Sequence, residues 1–133
     1  MGVDAVRLLL DTHTLLWWTT EKPGLSANAR SLLSSLESEV LVSAASAWEV
    51  ATKARMGKLP GAEAFAAEFT QRVGKLGFRK IPISVEHAQR AGLLPGLHKD
   101  PFDRMLIAQA LAEDIPIVSN EQRFDEYHVR RIW

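Results

Sequence analysis

The stretch RLLLDTHTLLWW, residues 7–18, runs three leucines into an aspartate, and apolar residues resume four positions later. Residues 6–10 are mostly apolar and predict a short buried strand, whereas residues 12–19 predict a helix. A buried strand that leads directly into a helix is typical of α/β folds. Asp11 therefore lies at the carboxyl end of the first strand. Its possible roles there depend on which other residues reach the same edge of the sheet.

Strands and helices continue to alternate along the chain. Further strands are predicted at residues 40–42, 80–83, 115–118 and, at an edge, 128–132. Helices are predicted at residues 26–36, 43–56, 62–76, 84–93 and 102–113, where Ser26 and Ser43 can cap the first two and Ser84 opens the fourth. This order implies an α/β fold: a mostly parallel sheet of four or five strands with helices on both faces. In such sheets ligands bind outside the carboxyl ends of the strands.

The composition excludes several classes of protein. The 133 residues are 47% hydrophobic and 24% charged, and 16 basic side chains cancel 16 acidic ones. A net charge of zero argues against bulk electrostatic binding of nucleic acid, although it permits a local basic patch. The absence of cysteine excludes disulfides and thiolate metal sites. We expect neither a signal peptide nor a membrane span, and we expect a cytoplasmic location.

Two acidic residues follow predicted strands. Asp11 ends the first strand, and Glu121 follows the fourth in IVSNEQRF, residues 117–124. Each has an ordinary structural interpretation: Asp11 as a helix N-cap, and Glu121 as a first-turn acid near the positive end of a helix dipole. Considered alone, neither residue identifies a functional site.

A third acidic residue lies on the helix after the second strand. We predict that the buried stripe of this helix comprises Ala44, Ala47, Trp48 and Ala51. Glu49 flanks that stripe, about a turn and a half into the helix. Its structural interpretation is a solvated ion pair with Lys53, four residues later, which would stabilise the helix by about 0.3–0.5 kcal/mol.

The segment HKDPFDRMLIAQA, residues 98–110, supplies two more acids. Asp100 precedes a proline that suits the first helical position, so it is a good N-cap. Asp103 lies where a capping box has its acid, but such boxes prefer Glu or Gln there. The helix is expected to run antiparallel to the fourth strand, which brings Asp103 to the same sheet edge as Asp11.

The coincidence of these acids predicts a metal site. Four separate elements each bring a carboxylate to one edge of one sheet, where unpaired charges would repel and raise each other's pKa. Mg²⁺ and Mn²⁺ prefer oxygen ligands, whereas the lack of cysteine and of a close histidine pair makes zinc a poor fit. A site of this kind suits phosphodiester hydrolysis.

These segments together resemble a PIN-domain ribonuclease, specifically the VapC-like toxins of type II toxin–antitoxin modules. The resemblance rests on LLLDTHTLLWW, SAASAWEVATKARMGKL, HKDPFDRMLIAQA and IVSNEQRFDEY. It implies that residues 1–133 form a single PIN-like domain, a three-layer sandwich. It also implies cleavage of RNA by a metal-activated water, a Mg²⁺ or Mn²⁺ cofactor, a homodimer and a cognate VapB-like antitoxin.

The resemblance assigns roles by position. Asp11, Glu49 and Asp103 resemble the first three acidic residues of the family, which are catalytic and bind the metal. The fourth is usually an aspartate two residues after a threonine, and here the matching residues are Ser119 and Glu121. This departure leaves open whether Glu121 binds the metal directly. Ser119 either orients Asp11 or a metal-bound water, or is an ordinary N-cap.

Basic and aromatic residues near the acidic segments have further possible roles. Asp100 is predicted to support the site, and the residues predicted to contact RNA phosphates are Lys53, Lys99 and Arg104. His13 and His98 suggest a general base, but neither has a clear partner in the sequence. Trp17, Trp18 and Trp48 could stack on bases, but their apolar neighbours favour packing in the core or a dimer interface.

Two competing interpretations are considered. A phosphatase with an aspartyl nucleophile after the first strand would place a second aspartate two residues later, where this chain has His13. That difference counts strongly against a phosphatase. The second alternative is a PIN-like module with weak or no catalysis, which acts by binding antitoxin or RNA. The replacement of aspartate by Glu121 is the sequence feature that favours it.

Overall fold

A computed structural model describes residues 6–20, 24–96 and 99–133. The described residues form five strands: β1 (Val6–Leu10), β2 (Ser38–Ser43), β3 (Arg79–Ile81), β4 (Ile117–Val118) and β5 (Arg131–Ile132). They form one sheet in the order β3-β2-β1-β4-β5, and every neighbouring pair is parallel. The predicted parallel α/β sheet is confirmed, and β1 occupies its centre.

Helices connect these strands. They are α1 (Thr12–Thr20), α2 (Ala27–Ser34), α3 (Ala44–Arg55), α4 (Glu63–Ala67), α5 (Phe69–Lys75), α6 (Val85–Leu93) and α7 (Pro101–Glu113), with a 3₁₀ helix at Gln122–Tyr127. Four of the predicted N-caps are present, because the side chains of Ser26, Ser43, Ser84 and Asp100 each accept a backbone N–H from the first turn that follows.

The sheet is buried on both faces, as the apolar composition of β1 requires. Leu8 and Leu10 pack into one core with residues of α1, α2, α4 and α5, whereas Leu9 packs into a second core with residues of α7 and the 3₁₀ helix. Side chains alternate between the two faces of a strand, so three consecutive leucines fill both cores. The result is the predicted three-layer sandwich.

Three local predictions are wrong. The predicted helix 62–76 is divided between α4 and α5 at Glu68, although its stripe of Phe65, Phe69 and Val73 is buried. Leu36 lies beyond the end of α2 and is fully exposed. Strands β3, β4 and β5 are shorter than predicted, because only a few residues of each pair with a neighbour.

The buried face of α3 also differs from the prediction. Trp48 is 60% exposed and Ala44 and Ala51 are exposed, whereas Ala45, Ser46, Glu49 and Val50 are buried. The helix therefore directs small and polar residues toward α1 and the sheet edge. An analysis of apolar spacing could not find this face, because the polar residues of the site lie on it.

None of the described helices is long and apolar enough to cross a membrane.

Candidate active site

Asp11 is held at the centre of the sheet edge. Its backbone N–H donates to the Val118 carbonyl at 3.2 Å, which joins the ends of β1 and β4. One carboxylate oxygen, Oδ1, accepts the backbone N–H of His13 at 3.1 Å, and the other, Oδ2, accepts the Ser119 hydroxyl at 2.5 Å. The residue is 3% exposed. Asp11 thus caps α1, as its structural interpretation required, and both of its carboxylate oxygens are fixed in direction.

Ser119 links two of the predicted site acids. Its hydroxyl donates to Asp11 and also accepts the backbone N–H of Glu121 at 3.0 Å. The side chain that caps the following 3₁₀ helix is Glu121, whose Oε1 accepts the Arg123 N–H at 3.1 Å. The N-cap interpretation of Ser119 is therefore wrong, and the alternative in which Ser119 orients Asp11 matches the geometry. Glu121 has a structural role at this position.

Glu49 is the most deeply buried acid among the described residues, at 2% exposure. Its Oε2 forms an ion pair with the Lys53 ammonium, so the predicted i,i+4 pair exists. The expectation that this pair is solvated is wrong, because α3 turns Glu49 inward. Its Oε1 is buried and has no hydrogen-bond partner within residues 6–20, 24–96 and 99–133. An unpaired, buried carboxylate oxygen is unfavourable and requires an explanation.

Two hydroxyl groups connect α1, which begins directly after Asp11, with α3, which carries Glu49. The Oγ1 atom of Thr12 and the Oγ atom of Ser46 lie 2.8 Å apart, and both residues are buried. This contact connects α1 to α3 one residue after Asp11 and three residues before Glu49. Sequence reasoning missed both residues. The available signal was a pair of small hydroxyl side chains close to predicted site acids.

The N-terminus of α7 adds two carboxylates. Asp100 Oδ1 accepts the backbone N–H of Phe102 at 2.9 Å and of Asp103 at 3.1 Å, which confirms Asp100 as the N-cap. Asp103 is half-buried. Both charges act on Lys53: burial lowers the pKa of this ammonium, but the hydrogen bond to Glu49 and the charges of Glu49, Asp100 and Asp103 raise it above its usual value. The charges of Asp100 and Asp103 therefore act on the same ammonium that pairs with Glu49.

His13 lies beside the same cluster. Its Nδ1 is 3.8 Å from Asp11 Oδ1, and the imidazole side chain is 62% exposed. The Asp11 carboxylate beside the ring raises the pKa of His13, burial opposes this, and the negative charge of Glu49 reinforces it. Asp11 is thus a charged neighbour of His13 that the sequence did not reveal. His98 lies outside the described residues.

The three predicted RNA-binding cations differ in their surroundings. Lys53 is paired with Glu49, and Lys99 is exposed next to the N-cap of α7. Arg104 Nη2 donates to the backbone carbonyls of Ala91 and Leu94 at 2.9 and 2.5 Å. Arg104 therefore fastens the end of α6 to α7, which leaves Lys99 as the cation best placed to reach a phosphate.

The two tryptophans of α1 pack as predicted, but the third does not. Trp17 contacts Trp133 and Trp18 contacts Phe78, at ring-centroid distances of 5.8 and 6.4 Å. Trp48 is exposed instead, and its ring lies in a T-shaped arrangement with that of Phe102, with the ring centroids 4.9 Å apart. Core packing is therefore confirmed for Trp17 and Trp18 and is wrong for Trp48.

The residues at this edge fit a hard divalent cation by chemistry. The donors are carboxylate oxygens, and Glu49 Oε1 is a buried oxygen that has no hydrogen-bond partner in the described part of the chain. Among the described residues, however, no three histidine or acidic side chains are grouped closely enough to hold an ion. An ion here would be bound by few protein ligands and several waters, which is common for Mg²⁺.

A comparison with protein families matches residues 8–129 to the PIN domain. The chain belongs to the PIN-domain family. The match includes all four predicted acidic residues, Asp11, Glu49, Asp103 and Glu121. The match covers nearly the whole chain, as does the resemblance seen in the sequence, and both indicate the same family.

Related proteins agree with this assignment. Ribonuclease VapC16 of Mycobacterium tuberculosis (strain ATCC 25618 / H37Rv) is 40% identical over 73 residues, which are 52% of this chain and 50% of that protein. The matched region thus spans about half the length of this curated relative. The fold is similar to that in the structure of VapBC2 from Rickettsia felis bound to a promoter DNA fragment. The TM-score is 0.69 at 16% sequence identity, and the match covers 96% of this chain and 98% of that chain. The fold is also similar to a toxin–antitoxin complex from Klebsiella pneumoniae (TM-score 0.66, 18% identity, 95% and 96%).

Proposed function

We propose that this protein is a divalent-metal-dependent endoribonuclease toxin that hydrolyses RNA phosphodiester bonds at the edge formed by Asp11 and Glu49. The proposal depends on one observation: Glu49 Oε1 is a buried carboxylate oxygen without a hydrogen-bond partner among the described residues. An acid that caps a helix or lies on the surface would have its oxygens hydrogen-bonded to backbone N–H groups or to water. The ribonuclease name of a relative with 40% identity over half the chain supports the same activity.

The acids have distinct roles in this proposal. Asp11 is the most rigid ligand, because both of its oxygens accept hydrogen bonds from fixed donors. Glu49 offers Oε1, and Asp103 approaches from α7. Glu121 uses its Oε1 to cap the 3₁₀ helix, so we assign it an indirect role through Ser119 or water. When bound, Mg²⁺ or Mn²⁺ would activate the attacking water and stabilise the leaving oxygen.

RNA binding is proposed to use local rather than bulk charge. The formal net charge is zero, so the chain has no general attraction for a polyanion. Lys99, exposed beside the N-terminus of α7, is the proposed phosphate contact. Trp48 immediately precedes Glu49 in the sequence, and its exposed indole offers a face on which an unpaired base could stack. This arrangement favours single-stranded or looped RNA.

Partners are inferred from the related complexes. We infer that the protein binds a VapB-like antitoxin, because structures of similar fold are toxin–antitoxin complexes. We infer a homodimer from the resemblance to VapC-like toxins. Co-expression with a candidate antitoxin, followed by mass measurement in solution, tests both inferences. A single-chain mass with and without that antitoxin would contradict them.

The activity is tested with purified protein and a pool of cellular RNA. We expect cleavage in Mg²⁺ or Mn²⁺, no cleavage in chelator, and at least a hundredfold loss in Asp11→Asn and Asp103→Asn, on the order of the effect of removing a catalytic group. Glu63→Gln, at an exposed carboxylate on α4, is the matched control and should cleave normally.

The same experiment separates the proposal from the binding-module alternative. Cleavage that survives chelator, or that persists in both aspartate variants, would contradict the proposed mechanism. If no RNA is cut, Mn²⁺-dependent thermal stabilisation of the wild type would indicate that the target is missing from the pool. Absence of both cleavage and stabilisation would favour a module that binds without catalysis.

A further inference from the structure

The ion pair between Lys53 and Glu49 is unusually asymmetric. Lys53 contacts only Oε2, and Oε1 of the same carboxylate is buried and unpaired in the described part of the chain. The Glu49 side chain is 3% exposed and that of Lys53 is 31% exposed, so the ammonium lies between the buried acid and solvent. The pair therefore leaves one specific oxygen of Glu49, Oε1, buried and without a hydrogen bond.

Lys53 also lies among more negative charges than it can neutralise. Glu49 is its direct partner, and the carboxylates of Asp100 and Asp103 on α7 act on it as well. Carboxylates close together in a partly buried site destabilise the fold unless positive charge accompanies them. Lys53 supplies an ammonium to this cluster.

We propose that Lys53 is a positioning residue that holds Glu49 by Oε2, so that Oε1 alone is presented to a divalent cation. The inference rests on the proposed function and assigns Lys53 a role different from contact with RNA phosphate. Lys53 and the cation use different oxygens of the same carboxylate, so the ammonium need not leave when a cation binds. Their positive charges nevertheless oppose each other across Glu49, so removal of Lys53 should strengthen the dependence of the fold on the cation.

The test compares thermal unfolding of Lys53→Met, Lys53→Arg and Lys58→Met in chelator and in saturating Mn²⁺. Lys58 is the matched control, because it is an exposed lysine in the turn that follows α3. In chelator, Lys53→Met should lower the melting temperature by at least about 3–5 °C, since a buried carboxylate loses its counter-charge. Mn²⁺ should raise the melting temperature of Lys53→Met by more than that of the wild type.

The other two variants and cleavage rates distinguish positioning from a general structural effect. Lys53→Arg keeps the charge and should restore most of the stability in chelator, and Lys58→Met should behave as the wild type in both conditions. With Mn²⁺ bound, Lys53→Met should still cleave RNA more slowly than the wild type, because Glu49 is less well fixed. If Lys53→Met folds only with Mn²⁺ present, that dependence is itself the expected result.

The inference and the proposed function fail in different ways. If the wild type is stabilised by Mn²⁺ and Lys53→Met shows the same melting temperatures as the wild type in both conditions, the inference is overturned and the metal site stands. Weaker RNA binding by Lys53→Met with unchanged melting temperatures would also overturn it and return Lys53 to the role of a phosphate contact. If the wild type shows no response to Mn²⁺, the metal site itself fails.

Discussion

Replacement of Ser119 by alanine tests whether the carboxylate of Asp11 is held by a buried donor. The hydroxyl donates to Asp11 Oδ2 at 2.5 Å and accepts the Glu121 N–H at 3.0 Å, and Ser119 is fully buried. A hydrogen bond to a charged group contributes about 1.5–3 kcal/mol and a neutral one about 0.5–1.5 kcal/mol. We therefore expect Ser119→Ala to lower the free energy of unfolding by about 2–4 kcal/mol, or the melting temperature by roughly 6–15 °C.

The assay is urea-induced unfolding at neutral pH in chelator, so that no cation compensates for the lost donor. The slope against urea should stay constant, because the variant exposes the same surface on unfolding. Ser34→Ala is the matched control: its hydroxyl donates to the Arg30 carbonyl at 2.7 Å on the exposed side of α2, and the change should stay within about 0.5 kcal/mol. A Ser119→Ala variant as stable as this control would refute the argument that Ser119 supports Asp11.

Two further predictions concern regions away from the site. Gly96 has φ +99°, and a Cβ at this position would lie 2.7 Å from the Tyr127 hydroxyl. At Gly57 φ is +72°, and a Cβ would have no described atom within 4 Å outside the neighbouring residues. Gly96→Ala should therefore lower the melting temperature more than Gly57→Ala. Asp125 accepts two hydrogen bonds from Arg131, at 2.9 and 3.1 Å, and these hold the Asp125 pKa below its usual 3.8. The ionised pair therefore stabilises the fold above that pH and is lost as the pH falls through the lowered pKa. Melting temperatures of wild type and Asp125→Asn should accordingly differ at neutral pH and converge in strong acid, and a constant difference would contradict this.

The fold could be predicted because local pattern and topology agree. Leu8, Leu9 and Leu10 can all be buried only if both faces of their strand are covered, which already implies a central parallel strand with helices on both sides. Capping residues such as Ser43 and Asp100 marked helix starts correctly, because a short polar side chain before a helix satisfies its free N–H groups.

The strand ends and one helix face were harder to predict. Lengths of β4 and β5 depend on which backbone groups find a partner in the neighbouring strand, and the sequence of one strand does not contain this information. The buried face of α3 was predicted from apolar spacing, which favoured Trp48. In the structure the helix turns Ser46 and Glu49 inward, because Ser46 pairs with Thr12 across the helix contact.

The site could be predicted as a set of acids but not as a geometry. Asp11 was located correctly because the end of a central strand fixes its place. The unpaired Oε1 of Glu49 and the occupied guanidinium of Arg104 depend on side-chain directions that spacing does not specify. The same holds for Glu121, whose use as a helix cap follows from the local turn after β4.

The most direct test of the proposed metal site is a measurement of Mn²⁺ binding by the purified protein, by loss of the free-ion paramagnetic resonance signal. We predict that the wild type and Glu63→Gln bind Mn²⁺, and that Asp11→Asn and Glu49→Gln bind it at least tenfold more weakly, since each loses about 1.4 kcal/mol or more of binding energy. Unchanged Mn²⁺ binding in Glu49→Gln would contradict the proposed site, because the unpaired Oε1 would then have no part in holding the ion.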